Sequence, residues 1–357
     1  MSTRIVTLAV AAVVAALWTT AAASAELRLL TWKGYAPNEV VEQFQKETGI
    51  TVNVTYSNNE EMISKLRATG GAGFDLAQPS QDRITGAQAD YRIYQPLDLA
   101  RVDTKLFIPS MLEATKQVTT LDGRVYGLPH IWGTDGLIVN TKVAGGASDY
   151  LDLCDPKYAG KVSYRTRRPT LIAFAFAMGE NPFALYGDRA KYTALMEKVG
   201  AKLIECKRYV KDYWTNGDAL LGLVRSGEVV LAMGWDSGGW KLTQENPDIV
   251  FRAPKSGALG WVDTFAIPAK ARNVDAAYRW INFVMQPEIA AKIVASAGNF
   301  TASQGADRFV DPTLSKLYRA SFPAKDLDNI KWYPAVPAGL EEIEGNILDK
   351  VRAARSQ

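Results

Sequence analysis

Apolar stretches with two different periods alternate along the first part of the chain after residue 25. Apolar and β-branched residues that alternate with polar ones predict strands, and apolar residues at spacings of three and four predict helices. The predicted strands are residues 27–32, 50–56 and 74–77, and the helices between them are residues 37–47 and 60–68. This alternation favours a parallel sheet covered by helices.

The apolar pattern continues into a second α/β block. Asp122 and Gly123 have the sequence of a tight hairpin turn. Further strands are predicted at residues 136–140, 162–165 and 229–236, with helices from about residues 170 and 186 and at residues 276–285, 288–297 and 339–355. A chain of 357 residues with this pattern is expected to form two domains rather than one.

Polar and aromatic residues follow several of these strands. Ligands of open α/β sheets bind beyond the carboxyl ends of the strands. The residues at such positions are Trp32, Tyr35, Ser80 and Asp82 in the first block, and Trp235 and Asp236 in the second. Each also has a structural interpretation, as a core aromatic residue or a helix cap. Their recurrence at one kind of position favours a binding cleft.

The strand within residues 260–268 has the most informative pattern. Trp261, Asp263 and Phe265 fall on one face of it, because successive side chains of a strand point to opposite faces. An indole ring and a carboxylate on one surface both attract a small, partly apolar cation. The structural alternative is a half-buried strand with a packed tryptophan and a capping aspartate.

The first 25 residues have the pattern of a secretory signal peptide. Residues 1–4 are basic, residues 5–17 are apolar, and Ala23, Ser24 and Ala25 form a cleavage site of small residues. The apolar run is too short and too rich in alanine to favour a permanent membrane span. We therefore expect cleavage after Ala25 and a soluble protein exported to the periplasm.

Charge and cysteine content narrow the choice of function. The formal net charge of +3 and the lack of a basic stripe argue against a nucleic-acid partner. The nine Trp and fifteen Tyr are typical of core packing or of sugar, amine or protein binding. In an oxidising compartment Cys154 and Cys206 either pair or remain as two buried free thiols, and a disulfide is favoured.

Catalytic and metal-binding motifs are missing from the sequence. The one histidine, His130, has no Ser or Cys motif around it and is expected to be packed rather than catalytic. There is no G-x-S-x-G, P-loop, H-E-x-x-H or C-x-x-C motif, and no dinucleotide-type glycine loop follows the first strand. We therefore expect no enzymatic activity, no cofactor and no metal site.

A series of short motifs carries a resemblance over nearly the whole length that follows residue 25. The motifs, in order, are WKGY (32–35), FQKETGI (44–50), FDL (74–76), PS (79–80), YGLP (126–129), IWG (131–133), PKYAGKV (156–162), SGEV (226–229), GW (234–235), WVD (261–263) and AIP (266–268). Each is short, but their order and spacing are specific. The chain resembles the periplasmic solute-binding proteins of ABC importers, and in particular the spermidine/putrescine-binding family.

The resemblance implies an α/β structure with the two-lobe, type II periplasmic-binding-protein fold. Each lobe is expected to have a mixed, mostly parallel sheet flanked by helices, and the lobes to close on a ligand around two crossing strands and a short third connection. Lobe one is expected to comprise residues 26–132 and 264–307, and lobe two residues 133–263 and 308–357. The resemblance also implies a monomer that delivers a small molecule to the transmembrane subunits of an ABC permease.

The resemblance also assigns ligand-binding positions. The residues that match positions used by the family are Trp32, Tyr35, Ser80, Trp235, Trp261 and Asp263. Asp82 takes the place of an aromatic residue, Asn299 lies near the position of a tyrosine, and Tyr333 lies near a polar contact from the C-terminal segment. Aromatic rings are expected to surround an alkylammonium group, with Asp263, together with Asp236 or Asp82, at its cationic end.

One departure from the family pattern changes the expected ligand. After residues 162–164, polyamine-binding members carry acidic residues, whereas this chain has Arg165, Arg167 and Arg168. Arginine offers a bidentate fork to a carboxylate, sulfonate or phosphonate. If one arginine faces the cleft, the ligand is a zwitterion such as 4-aminobutyrate or a betaine, which is our first interpretation. If all three point outward and pair with surface acids, the family's putrescine or spermidine is the alternative.

Two other classes of function have less support. An exported enzyme on the same frame would need a nucleophile and a base, and a ferric-ion binder would need clustered tyrosines, whereas no two tyrosines are adjacent in this sequence. The sequence therefore predicts a receptor for a small nitrogen-containing solute.

Overall fold

The computed structural model describes residues 26–354, without the side chains of residues 324 and 325. The expected signal peptide, residues 1–25, and its cleavage site lie outside the described residues. Between residues 26 and 354, no helix has both the length and the hydropathy needed to cross a membrane.

Strands and helices alternate through most of the described chain. The strands are β1 (Glu26–Thr31), β2 (Thr51–Tyr56), β3 (Leu76–Ala77), β4 (Thr120–Leu121), β5 (Arg124–Val125), β6 (Leu128–Asn140), β7 (Val162–Ser163), β8 (Val210–Asp212), β9 (Leu231–Trp235), β10 (Ile249–Arg252), β11 (Leu259–Phe265), β12 (Phe300–Thr301) and β13 (Lys331–Trp332). The helices are α1 (Asn38–Thr48), α2 (Asn59–Thr69), α3 (Ile84–Tyr91), α4 (Pro109–Thr119), α5 (Thr141–Ala144), α6 (Arg168–Ala177), α7 (Arg189–Cys206), α8 (Gly217–Arg225), α9 (Asp236–Glu245), α10 (Val274–Val284), α11 (Pro287–Ala297), α12 (Pro312–Ser321), α13 (Ala324–Leu327) and α14 (Leu340–Ala353).

The first sheet is small and parallel, with strand order β2-β1-β3. Leu29 and Leu30 of β1 are both fully buried but belong to two different apolar clusters. Because neighbouring side chains of a strand point to opposite faces, both faces of this sheet are covered. Helix α1 adds Val40 and Phe44 to the cluster of Leu29 and ends at Gly49, whose φ of 71° suits glycine.

The second sheet is mixed and is built around β6. Its strand order is β13-β11-β6-β9-β7-β8, and β10 and β12 also pair with β6. Strand β6 is antiparallel to β9, β10, β11 and β12, whereas β7 is parallel to β8 and β9. This sheet is therefore less parallel than expected, because the long strand β6 runs against four of its neighbours.

Strands β6 and β11 connect two apolar cores. At one end of the pair, Leu128 and Phe265 belong to the core of the first sheet. At the other end, Val139 and Leu259 belong to the core of the second sheet. Trp261, in the middle of β11, packs against both cores. Two α/β lobes thus share this strand pair, while the residue boundaries assigned to the lobes stay a prediction.

The C-terminal segment packs against the second sheet and its helices. Leu314 of α12 joins the cluster that contains Trp240 and Phe251. Helix α14 lies on α7, where Gly200 allows close approach: a Cβ there would lie 2.7 Å from Cγ2 of Ile347. The last helix is therefore part of the lobe that contains α7.

A disulfide joins Cys154 to Cys206, with their Cα atoms 4.9 Å apart. It links the 3-10 turn Tyr150–Cys154 to the end of α7, and Cys206 is fully buried. Within residues 26–354 all cysteines are thereby paired.

The elements of the first block agree with the sequence pattern to within two residues at each end. In the second block, β7 ends at Ser163, so that Arg165 lies in a loop, and β9 ends at Trp235 because Asp236 already begins α9. Strand β6 begins at Leu128 rather than at residue 136. Pro129 argues against a strand because it lacks an N–H, but it lies at an irregularity in the pairing with β11.

Candidate ligand-binding cleft

A cavity of about 1220 Å³ lies between the two cores. Every ligand-binding residue predicted from the sequence except Asp236 lines it, namely Trp32, Tyr35, Ser80, Asp82, Arg165, Arg167, Arg168, Trp235, Trp261, Asp263, Asn299 and Tyr333. They come from the loops after β1 and β3, the junction of β7 and α6, strands β9 and β11, and the segments after α11 and β13. The fold therefore collects at one place side chains from almost the entire described chain.

The floor of the cavity is one face of the β6–β11 pair. Trp261 is paired in register with Gly133, and a Cβ on Gly133 would lie only 2.6 Å from Cζ2 of Trp261. Glycine at this position therefore lets the indole ring cross the neighbouring strand. Asp135 and Asp263 lie on the same face, one on each side of the Trp–Gly pair, because strand residues two apart share a face.

Asp263 is the centre of a buried hydrogen-bond network. Its carboxylate accepts from the hydroxyls of Tyr35 at 2.6 Å and Ser80 at 2.5 Å, and the residue is 3% exposed. Asn59 holds Ser80 in place, because its side-chain amide donates to Oγ and accepts from N of Ser80, both at 2.9 Å.

The carboxylate of Asp263 is not neutralised by a basic side chain. Asp263 has no ion-pair partner among residues 26–354, whereas Asp135 and Asp82 on the same cavity each have one. Burial raises the pKa of Asp263 to about 7, although the Ser80 and Tyr35 hydroxyls act in the opposite direction. A cationic group in the cavity would therefore find an uncompensated acceptor here.

Aromatic rings form the walls beside Asp263. Nε1 of Trp32 donates to the carbonyl oxygen of Gln78 at 2.8 Å, which fixes this ring, and the ring of Tyr35 meets that of His130 edge-on. His130 lies beneath this layer and does not line the cavity. Its Nδ1 is 2.6 Å from Nε2 of Gln78, and burial lowers its pKa to about 3. This position agrees with a packed histidine.

Asp236 lies behind the cavity and does not reach it. Its carboxylate accepts from N and Oγ1 of Thr134 at 2.7 and 2.9 Å, from N of Ser237 at 2.7 Å and from Nδ2 of Asn299 at 2.8 Å. Because Asp236 is the first residue of α9, its side chain turns toward the helix N-terminus and β6. The expected role at the cationic end of a ligand is therefore not supported, and Asp236 instead positions Asn299.

Arg165 borders the cavity and is already paired. Its Nη2 lies 2.9 Å from Oδ1 of Asp135, and its guanidinium carbon lies 4.8 Å from the ring centre of Trp235 and 5.1 Å from that of Trp214. Its side chain is 16% exposed, and within residues 26–354 its Nε has no hydrogen-bond partner. Burial raises the pKa of Asp135 to about 6, against the opposing effect of Arg165.

Arg168 is buried in a larger network between the lobes. Its Nη1 lies 2.8 Å from Oδ2 of Asp82, its Nε lies 3.1 Å from Oε1 of Glu344 on α14, and its Nη2 donates to the hydroxyl of Tyr186. Its guanidinium carbon is 4.9 Å from the ring centre of Tyr333. The cation that Asp82 binds in this structure is therefore Arg168.

Arg167 lies at the rim of the cavity. Its side chain is 38% exposed, and its Nη1 is 3.6 Å from Oε2 of Glu60. The three arginines thus all line the cavity instead of pointing away from it, but each already has an acidic partner.

A family model for the bacterial extracellular solute-binding proteins matches residues 39–318, which include most of both sheets. The chain belongs to this family. It is accordingly a solute-binding protein of the ABC-transporter class and not an enzyme.

Relatives and solved structures agree with this membership. The spermidine/putrescine-binding periplasmic protein of Escherichia coli K12 is 27% identical to this solute-binding protein over 334 residues, which are 92% of each chain. A chain described as a spermidine/putrescine ABC transporter from Listeria monocytogenes has a TM-score of 0.81 at 24% identity, over 93% of this chain and 100% of that one. The Atu4243 GABA receptor has a TM-score of 0.69 at 19% identity, over 93% and 99%. The predicted type II, two-lobe fold is confirmed.

Sequence reasoning does not find two acidic residues of this solute-binding protein, Asp135 and Glu344. Asp135 is the one acidic residue of the otherwise largely apolar strand β6. A single carboxylate in a strand that crosses between lobes is a signal that could have been used. Glu344 carries a signal of the same kind, because it lies on the apolar face of α14, four residues after Leu340 and four before Leu348.

Proposed function

We propose that this protein is the periplasmic receptor of an ABC importer and that it binds a small alkylamine, whose ammonium group is bound by Asp263. The observation that carries the proposal is a buried carboxylate without a basic partner among residues 26–354, on the floor of a cavity with aromatic walls. An ammonium group there would form charge-assisted hydrogen bonds with Asp263 and cation–π contacts with Trp32 or Trp261.

Putrescine and spermidine are the first candidates for the ligand. The Escherichia coli relative is named for both compounds. The arginines that suggest a zwitterion have acidic partners already, so their charge does not demand an anionic group on the ligand. Both observations support the polyamine over our first interpretation.

4-Aminobutyrate is the second candidate, and it depends on Arg165. Nε of Arg165 has no hydrogen-bond partner within the described chain, so this guanidinium has a donor left for a carboxylate beside Asp135. A protein of the same fold is named as a GABA receptor. An ω-amino acid is therefore the next compound to test.

The proposal extends to location and partners. The Escherichia coli relative is a periplasmic protein, and residues 1–25 have the pattern of a signal peptide, so the mature chain would begin at Glu26 in the periplasm. Residues 26–132 and 264–307 would form one lobe and residues 133–263 and 308–357 the other, closing around β6 and β11. As a monomer, the closed form would deliver its ligand to the permease subunits of the importer.

Calorimetric titration of the mature protein with putrescine, spermidine, 4-aminobutyrate and glycine betaine tests the proposal. Asp263→Asn keeps the shape of the side chain and removes its charge. We expect the affinity for the best-binding amine to fall roughly 10- to 150-fold, because a hydrogen bond to a charged group contributes about 1.5–3 kcal/mol.

A matched control is Asp248→Asn. The side chain of Asp248 is 44% exposed and pairs with Lys142 at 3.6 Å, away from the cavity, so its replacement should leave the affinity unchanged. Equal affinities of the Asp263→Asn variant and the wild type would remove Asp263 from the site. If the protein binds the zwitterions but not the polyamines, the zwitterions replace putrescine and spermidine as the proposed ligands.

A further inference from the structure

The ion pair of Asp135 and Arg165 has the composition of an alkylammonium site. Asp135 places a buried carboxylate 2.9 Å from the guanidinium, and the ring centres of Trp235 and Trp214 lie 4.8 and 5.1 Å from the guanidinium carbon. A carboxylate with aromatic rings beside it is also what the cavity presents at Asp263. A ligand ammonium in the place of the guanidinium would contact the same groups.

This second group lies along the floor of the cavity from Asp263. The register of β6 and β11 sets Asp135 opposite Leu259 and Asp263 opposite Ile131, with Trp261 between them. The two acidic residues are thus four positions apart along the strand pair, or roughly 13 Å along the strand direction at about 3.3 Å per residue. The negative charge of Asp135 also raises the pKa of Asp263, so the two carboxylates interact electrostatically.

Arg165 is held less firmly than Arg168. Arg168 is 4% exposed and is bound by the carboxylates of Asp82 and Glu344 and by a tyrosine hydroxyl. Arg165 has one carboxylate partner, a 16% exposed side chain and an Nε without a partner in the described chain. Displacing Arg165 breaks one ion pair at the cavity surface, whereas displacing Arg168 would leave two buried carboxylates without a cation.

We infer that Asp135 and Trp235, backed by Trp214, form a second cation subsite, which Arg165 occupies in this structure, and that Arg165 thereby weakens the binding of diamines relative to monoamines. This inference rests on the proposed amine site at Asp263. A monoamine bound at Asp263 leaves Arg165 in place. The distal ammonium of a diamine has to displace Arg165 or remain close to its positive charge. Arg165 is therefore a specificity-determining residue of the cleft.

Removal of the guanidinium tests this role. Arg165→Ala should raise the affinity for a diamine of matching length by about tenfold or more, because the distal ammonium gains the carboxylate of Asp135. The affinity for n-butylamine should change by less than about threefold. Titration of a series of α,ω-diamines of increasing chain length identifies the matching length. Measurement near pH 8 favours the ionised form of Asp135, whose pKa is already raised to about 6 and rises further when Arg165 is lost.

Three further variants complete the test. Arg101→Ala is the matched control, because Arg101 also pairs with an aspartate, Asp275, and lies 4.1 Å from the ring centre of Tyr278, outside the cavity. Asp135→Asn added to Arg165→Ala should cancel the gain for the diamine. Arg165→Gln, which keeps much of the side-chain volume, replaces the alanine variant if the latter does not fold.

Each outcome decides the matter. Equal changes in affinity for diamines and for n-butylamine overturn the inference. A loss of affinity for 4-aminobutyrate without a gain for diamines also overturns it, and would make Arg165 an anion-binding residue. Amine binding that depends on Asp263 but is insensitive to Arg165 overturns the inference and leaves the proposed function standing. If the wild-type protein binds no amine, the proposed function fails as well.

Discussion

Replacement of Arg168 by methionine is expected to be among the most destabilising single changes at the cleft. Methionine keeps much of the apolar stem and removes the charge, which leaves the nearly fully buried carboxylates of Asp82 and Glu344 without their cation. Removing one partner of a buried ion pair typically costs about 3–5 kcal/mol. Two carboxylates lose their cation here, but protonation of Asp82 limits the cost, since burial already raises the pKa of this residue. We therefore expect a loss within that range.

Urea denaturation followed by circular dichroism measures the loss in the free energy of unfolding. The matched control is Arg167→Met, because Arg167 is 38% exposed and its ion pair with Glu60 is long, at 3.6 Å. That variant should lose less than about 1 kcal/mol. Adding Asp82→Asn and Glu344→Gln to Arg168→Met should recover part of the loss, because no buried charge is then unpaired. A loss below about 1 kcal/mol for Arg168→Met, or no recovery in the triple variant, would refute the reasoning.

Two other predictions concern pH and the disulfide. Amine affinity should rise with pH up to about 7 and level off above it, because a cation binds the ionised form of Asp263, whose pKa is raised to about 7. Below that pKa, each unit by which the pH falls should lower the affinity by up to about tenfold, since a proton must be released from Asp263 on binding. Calorimetry at several pH values checks this, and an affinity that does not change with pH would contradict the role of Asp263. The disulfide of Cys154 and Cys206 spans a separation of 52 residues, for which the chain-entropy model gives about 4 kcal/mol. Reduction should therefore lower the thermal midpoint, and two thiols titrated in the denatured, unreduced protein would show that no disulfide forms.

Local sequence patterns account for much of the fold. The first strands and helices follow from hydrophobic periodicity and from glycines that end helices, such as Gly49 and Gly70, both in the left-handed conformation. Helices α3 and α4 are not predicted from the sequence, and neither is the part of strand β6 before residue 136. Pro129 and Gly133 interrupt its pattern, and only pairing with β11 and β12 makes that part of it a strand.

The composition of the cleft could also be predicted in large part, because strand ends and family motifs are features of the sequence. Hydrogen-bond partners could not be predicted in this way. Tyr35 and Ser80 reach Asp263 across 228 and 183 residues of sequence. Asp236 has the same kind of position as Asp263, but it begins a helix and turns away from the cavity.

The charge of the cleft was decided by the tertiary structure alone. Three arginines between residues 165 and 168 suggest a positive cleft. The fold sets Asp135 against Arg165, and Asp82 and Glu344 against Arg168. The sequence by itself determined the fold class, the family and the aromatic walls, because those depend on local patterns and motifs. Which carboxylate is left without a cation is decided only in the folded structure. Coulomb energies depend on the distance between two charges and on their burial, and both are set here by segments far apart in the sequence.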